Sequence, residues 1–515
     1  VIPLRLSEIA EIVGGQVHGG PGVDGVDPLV DGPVVTDSRE AGPGSLYIAR
    51  IGEELDGHQF VEAARSQGAV AALTSRPVPD LPAVVVADVQ AAFVALAHAL
   101  VERSAQTVVI GITGSSGKTG TKDLLWSVLE HHGETVANVG SLNSEVGVPL
   151  TICRITPTTA YLVLEMGSRG IGHIDYLTAI ARPQIGVVLN VGTAHVGEFG
   201  SREAIGRAKS ELVHALPATG FAVLNADDPI VWGMASQTPA RVIGVGQSPD
   251  ADIRALDISV DSLGRPSFTL STDQGVAAVA LRSHGEHQVG NALAVAAVAL
   301  AVGMPLEQVA TALGQARPRS RWRMEVHERA DGVTIINDAY NANPDSMRAA
   351  LKALVAMGSR KDGRRTWAVL GEMRELGHES VDEHHSLGRL AVQLGVSRLV
   401  AVGQRTQPIE DGVRDEQARG PGHNPDSLDD MLGAPVWVPD IDSAFELLRG
   451  SLAAGDVVLV KSSRDAGLRW LGDRLLDDDP PDKPLPDNHV PDNHVPDNAL
   501  PHQHRPDDTG SGVPA

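Results

Sequence analysis

One cysteine, Cys153, occurs in 515 residues. No intramolecular disulfide and no cysteine-based metal cluster can form, and nothing in the chain requires an oxidising compartment. Aromatic residues make up 3% of the chain, so its cores must be aliphatic. Basic charge is in deficit: 42 Lys and Arg stand against 65 Asp and Glu, for a net charge of −23. That balance argues against binding nucleic acid or an anionic membrane through charge. Long apolar runs are missing as well. The longest, Ala292 to Met304, falls short of the ~18 residues that a membrane span needs. The first residues, Val1-Ile-Pro-Leu-Arg5, lack a basic-then-apolar pattern, and a cytoplasmic protein is expected.

At roughly 150 residues per domain the length suggests about three domains. The first segment, 1–103, carries β-type runs at Val34-Val35, Leu46-Tyr47-Ile48 and Val84-Val85-Val86, with alanine-rich helical stretches at Phe60 to Ser66 and Val89 to Val101. The second, 104–316, begins with Val108-Val-Ile-Gly-Ile, which reads as a buried parallel strand. A glycine-rich turn and a helix from about Lys118 to His131 follow, then strand-like runs at Tyr161 to Glu165 and Ile185 to Val191. This alternation predicts a parallel α/β sheet. His287 to Ala301 reads as a helix buried nearly all round. A third segment, 317–476, shows strands at Val333 to Asn337, Thr366 to Leu370, Arg398 to Val402 and Val457 to Val460. It is a second α/β unit.

Residues 477–515 differ in composition. Three imperfect copies of one unit follow each other: Pro486 to Val490, Pro491 to Val495 and Pro496 to Leu500. Proline and aspartate dominate, apolar surface is scarce, and a disordered tail is expected. Its histidines, His489, His494, His502 and His504, are read as solvated rather than metal-binding.

The strongest chemical signal is Thr113-Gly114-Ser115-Ser116-Gly117-Lys118-Thr119, set between a strand and a helix. Glycines permit close backbone approach to a nucleotide triphosphate, and a helix N-terminus offers free N–H groups. Lys118 is expected on the β/γ phosphates and the Thr119 hydroxyl on Mg²⁺. Gly111 lies one residue too early for the strict Walker spacing. A guanine reader needs an Asn-Lys pair, and the chain has none. Kinase, ATPase motor and ATP-dependent ligase remain open. Glu165 ends the strand Tyr161 to Glu165, where a second magnesium contact would arise. His195, after the strand Ile185 to Val191, falls at the same sheet edge. Lys209 lies on the next helix, about Ser201 to Leu216, in a chain with few lysines.

Taken together, Thr113 to Thr119, Glu165-Met-Gly167, Ala194-His-Val-Gly-Glu-Phe-Gly200, Ala208-Lys-Ser-Glu-Leu212 and His287-Gln-Val-Gly-Asn-Ala-Leu-Ala294 resemble the Mur ligases. Arg323, Asn337-Asp-Ala-Tyr-Asn-Ala-Asn-Pro-Asp-Ser-Met347 and Gly371-Glu-Met-Arg-Glu-Leu-Gly377 extend the resemblance over about residues 25 to 475. The last two motifs, with Leu142-Asn-Ser-Glu-Val-Gly-Val-Pro149, are similar to the members that add D-alanyl-D-alanine.

The resemblance implies an ATP-dependent amide ligase acting on UDP-N-acetylmuramoyl-tripeptide and D-alanyl-D-alanine, with ATP and Mg²⁺. It implies three domains: a UDP-substrate-binding α/β domain, a central P-loop domain with a parallel sheet, and a Rossmann-like C-terminal α/β domain. A monomer is expected. Lys118, Glu165, His195 and Lys209 would be catalytic. Thr119, Glu165, His195 and Lys209 would hold magnesium, Lys209 as a carbamate. Asn291, Arg323, Asp338 and Tyr340 would line the nucleotide with the P-loop residues. Ser38 and Arg39, in Thr36-Asp-Ser-Arg39, and Asn143 and Asn341 would contact substrate. Two positions depart from the family pattern: Ser144, where Asn is common, and Ser462, where Gly is usual beside Lys461. An enzyme adding diaminopimelate or lysine, a folylpolyglutamate synthase and a nucleotide-binding switch are the competing readings.

Overall fold

The computed structural model describes residues 1–19, 27–52, 55–79, 81–192, 196–358, 364–419 and 434–477. His195 and the repeat tail lie outside the described residues. The chain divides into compact units at Phe93–Val94, inside the helix Val89–Arg103.

The first unit, from Pro3 to Phe93, is built on a five-stranded sheet. Its order is Gln16–His18, Ala83–Val85, Ala69–Thr74, Ser45–Ile48, Val34–Val35. All neighbours are parallel except Gln16–His18, which pairs antiparallel with Ala83–Val85. The core is mostly aliphatic, with Tyr47 and Phe93 as its buried aromatics, in keeping with the low aromatic content.

The second unit holds two sheets. The larger has nine strands. From one edge they run Thr135–Ala137, Tyr161–Glu165, Val108–Thr113, Ile185–Val188, Phe221–Asn225, Arg241–Gly246, Ile253–Val260, Pro266–Thr272 and Gly275–Ala280. The first seven are parallel and the last two form an antiparallel extension. Val108–Thr113 is almost wholly buried, which accounts for its unbroken apolar sequence. It lies between Tyr161–Glu165 and Ile185–Val188, where the strand order reverses. Ligands of open α/β sheets bind outside the carboxyl ends of strands at such a switch point. The helix Gln288–Ala301 is buried from Asn291 to Ala299 and joins the core beneath this sheet.

Two expectations need correction. The strand expected at Ile185 to Val191 stops at Val188, because Asn190 and Val191 turn to bond the P-loop and the Asp228 carboxylate. The five strands between Phe221 and Ala280 were not anticipated. In the antiparallel extension Pro266–Thr272 is rich in serine and threonine and half exposed, and Gly275–Ala280, a run of small apolar residues, is mostly exposed.

The C-terminal sheet has six strands in the order Glu325–Glu328, Thr334–Asn337, Val457–Lys461, Thr366–Leu370, Arg398–Val402, Val436–Val438. The first pairs antiparallel and the rest are parallel. Helices such as Pro344–Met357, Ser380–Leu394 and Ile441–Ser451 bury aliphatic faces against it.

Candidate active site

The P-loop follows directly from the strand Val108–Thr113. Gly114 has φ +159°, and Gly117, at φ +81°, caps the helix Lys118–Leu129. A side chain at Gly117 would be strained by φ and would meet Asn291 Oδ1 at 2.7 Å. Asn291 is therefore packed against the loop. The loop's shape is held by the neighbouring strand end. Ser115 N–H donates to the Asn190 carbonyl at 3.1 Å and Ser116 N–H to Asn190 Oδ1 at 2.9 Å. Gly192 N–H donates to Ser115 Oγ at 2.9 Å. Thr113 Oγ1 donates to the Met166 carbonyl at 3.1 Å.

Lys118 Nζ donates back to the Gly114 carbonyl at 2.7 Å. Burial lowers its pKa, the Glu165 carboxylate acts the other way, and the Arg323 guanidinium lowers it further. An anionic ligand beside this partly buried cation would favour its charged form. Thr119 Oγ1 donates to Glu165 Oε2 at 2.7 Å, and Asn143 Nδ2 donates to Glu165 Oε1 at 2.7 Å. Glu165 N–H is fixed by Asn138 Oδ1 at 2.6 Å. Glu165 is 2% exposed, so its carboxylate is held rather than solvated.

Lys209 is buried on the helix Arg202–His214. Burial pushes its ammonium far below the usual lysine range, and the Lys118 charge pushes the same way. It has no ion-pair partner among the described residues. Among these residues no three His, Cys, Asp or Glu side chains form a metal cluster. The hard oxygen donors that converge are the Thr119 hydroxyl and the Glu165 carboxylate. These fit Mg²⁺, which commonly takes one or two protein oxygens beside phosphate and water.

The C-terminal domain supplies the facing wall. Arg323 donates to Ser141 Oγ at 2.8 Å, and that hydroxyl lies 3.4 Å from Thr119 Oγ1. Its guanidinium stacks 4.2 Å from the Tyr340 ring centre. Asn343 Nδ2 donates to the Ser115 carbonyl at 3.4 Å. Asp338 braces the site from behind: Oδ1 accepts from Met324 N–H at 3.0 Å, and Oδ2 pairs with Lys461 at 2.6 Å. Lys461 also donates to the Asn341 carbonyl at 3.0 Å, and it is buried. It is therefore an internal strut. Ser462, the departure beside it, packs its Cβ against Gly371 and donates to the Ser463 carbonyl. Asn341 is exposed, its Oδ1 accepting from Ala342 N–H.

In the other unit, Arg39 is paired with Asp37 through three contacts of 2.6–3.1 Å, and Ser38 is buried. Asn138, Ser141 and Asn190 were missed by sequence reasoning. Asn138 and Asn190 each stand just beyond a buried strand, and a polar residue ending an apolar run at this edge was the available signal.

A phosphate cradle whose facing wall comes from a second α/β domain defines a nucleotide-using P-loop enzyme working between two domains. Models of the Mur ligase family catalytic domain, the Mur ligase middle domain, and the Mur ligase, glutamate ligase domain match residues 33–106, 112–299 and 322–464. The chain belongs to the Mur ligase family. It is 49% identical over 506 residues to a UDP-N-acetylmuramoyl-tripeptide–D-alanyl-D-alanine ligase of Mycobacterium tuberculosis, covering 93% of this chain and 99% of the relative. The Escherichia coli enzyme of that name is 36% identical, covering 91% and 100%. A MurF crystal structure from Acinetobacter baumannii superposes with a TM-score of 0.79 at 31% identity, covering 92% and 99%. MurF from Thermotoga maritima, solved in complex with ADP, gives 0.72 at 26% identity, covering 87% and 98%.

Proposed function

We propose that this enzyme joins D-alanyl-D-alanine to UDP-N-acetylmuramoyl-tripeptide in peptidoglycan precursor synthesis, using ATP. The observation that carries the reading is the Thr119–Glu165 pair beside the P-loop, faced by Arg323 and by Tyr340 and Asn343 of the Asn337-to-Met347 motif. The names of the relatives support it.

A carboxylate is a poor electrophile, so the tripeptide's terminal carboxylate first attacks the γ-phosphate of ATP. An acyl phosphate forms and ADP leaves. The free amine of D-alanyl-D-alanine then attacks the acyl carbon, the amide forms and phosphate departs. Lys118 and the N–H groups of residues 117–119, at the start of the P-loop helix, stabilise charge on the transferring phosphoryl group. Asn291, Arg323 and Tyr340 line the nucleotide, and Asp338, assigned to the same site by resemblance, supports that wall from behind. Bound Mg²⁺, held by Thr119 and Glu165 and, by resemblance, His195 and carbamylated Lys209, would offset negative charge on the phosphates. With its amine buried and without an ion-pair partner among the described residues, Lys209 is suited to carbamylation: a neutral amine adds CO₂ and releases a proton. Ser38, Arg39, Asn143 and Asn341 are assigned to substrate. The domain division proposed is 1–103, 104–316 and 317–476, with a tail of 477–515.

The test is a ligation panel read by mass spectrometry, with ATP, dipeptide- and tripeptide-tailed UDP-N-acetylmuramoyl substrates, and D-alanyl-D-alanine, diaminopimelate or lysine as acceptor. Amide formation with D-alanyl-D-alanine on the tripeptide is expected. Addition of diaminopimelate or lysine to the dipeptide form, with D-alanyl-D-alanine ignored, would overturn the assignment. The chain has no Asp-Asn-Pro-Arg tetrapeptide, the motif that resemblance associates with pairing a distal carboxylate. An acceptor site without such a partner disfavours a charged side chain.

A further inference from the structure

Two motifs are not accounted for by the phosphate cradle: Ala194 to Gly200 in the central domain and Gly371 to Gly377 in the C-terminal domain. They meet at a pair of glycines. Gly197 lies in the short helix Val196–Phe199. A Cβ built on Gly197 would stand 2.9 Å from Gly377 N, 3.1 Å from the Leu376 carbonyl carbon and 3.2 Å from Glu375 O. All three are backbone atoms, so none can swing aside. A Cβ on Gly377 would in turn stand 3.3 Å from Gly197 Cα. The backbones of the two domains touch here because neither residue has a side chain.

The C-terminal side of this contact is rigidly braced. Gly377 has φ +56° and Glu375 φ +63°. Met373 N–H donates to His384 Nε2 at 2.9 Å, and His384 Nδ1 lies 2.6 Å from the Ser380 carbonyl. An amide N–H can only donate and a carbonyl can only accept, so the buried ring is the neutral Nδ1–H tautomer. Arg374 N–H donates to Ser463 Oγ at 2.9 Å, and Leu376 is buried. Arg169, just beyond Glu165, reaches Glu375 at 3.9 Å. Asp345, at the start of the helix Pro344–Met357, lies against Gly192 on the far side of the same central segment.

We infer that Gly197 and Gly377 form a seam without side chains that seats the C-terminal domain on the catalytic edge of the central domain, and that both are positioning residues for ligation. Both glycines are exposed, yet a Cβ 2.9 Å from a backbone nitrogen fits only if one of the two segments shifts. A shift at this seam moves the Gly371–Gly377 loop and the wall carrying Arg323 and Asn343 relative to the P-loop.

The inference rests on the ligase reading, and its test separates the two. In Gly197→Ala the backbone has no left-handed strain, and alanine is the better helix former. A purely local role therefore predicts an unchanged or raised melting temperature and full turnover. The seam predicts ligation kcat reduced about tenfold or more, as reacting groups are displaced, with a smaller loss of affinity for a non-hydrolysable MgATP analogue, whose phosphates remain on the P-loop. Gly377→Asn, which tolerates a left-handed backbone, should do the same, and supplies the test should the first variant fold poorly. Gly233→Ala, with open space around its Cβ, is the control expected to match wild type. Wild-type turnover in folded Gly197→Ala and Gly377→Asn overturns the seam. Absence of ligation by the wild-type enzyme overturns the ligase reading instead.

Discussion

Thr119 Oγ1 and Glu165 Oε2 share a hydrogen bond of 2.7 Å, although the two residues are distant in sequence. The first opens the P-loop helix and the second ends the adjacent parallel strand. The register pairs Glu165 with Ile112 on the P-loop strand, which sets both oxygens at one carboxyl edge of the sheet. Glu165→Gln keeps the shape and an oxygen for Asn143 but removes the charge. The magnesium concentration for half-maximal ligation should rise, with the fold unchanged by circular dichroism. An unaltered magnesium titration would count against the assignment.

Lys118→Ala should lower ligation kcat by about 10²–10³-fold or more, the scale of losing one charge-stabilising donor in a preorganised site. Its ammonium bonds a loop carbonyl rather than a core group, so the melting temperature should hold. Turnover near wild type would remove the P-loop assignment.

Lys209→Ala should lose most activity and recover part of it with added short carboxylates, which replace the carbamate oxygens. Labelling with ¹³CO₂ should give a carbamate signal in wild type that the variant lacks. A signal present in both would place the modification elsewhere.

Cys153 is fully buried, and burial pushes its thiol up to about 12. The thiolate is the reactive form. Native protein at neutral pH should resist thiol reagents, with labelling that tracks unfolding as denaturant is added. Rapid labelling without denaturant would show that the helix Gly147–Ile152, which Cys153 caps, opens locally.

Removing residues 478–515 should leave activity and melting temperature nearly unchanged. Cutting before Leu471 should not, because Leu471 and Leu475 are buried and Arg329 donates to the Leu475 carbonyl at 2.9 Å. Burying each leucine contributes about 1.5–3 kcal/mol. Differential scanning calorimetry of the two truncations separates them.

The parallel strands Thr366–Leu370 and Arg398–Val402 were legible to the residue. Strands buried on both faces must be continuously apolar, and that pattern needs no knowledge of neighbours. The antiparallel strands Pro266–Thr272 and Gly275–Ala280 escaped because much of their surface is solvated, so burial imposes no continuous apolar pattern on them.

The glycine turn was legible because phosphate chemistry restricts which residues can stand between a buried strand and a helix, whereas Glu165 was ambiguous by position alone and Lys209 was singled out only by the family resemblance. Local sequence determined the buried strands, the glycine turn and the identity of the charged groups, since each depends on residues adjacent in the chain. Tertiary structure decided what those groups touch. Asp338 and Lys461 pair across the ends of two neighbouring strands, whereas Arg39 stays with Asp37 two residues away. The Gly197–Gly377 approach is likewise invisible in either motif alone, because the distance between two backbones depends on how whole domains pack.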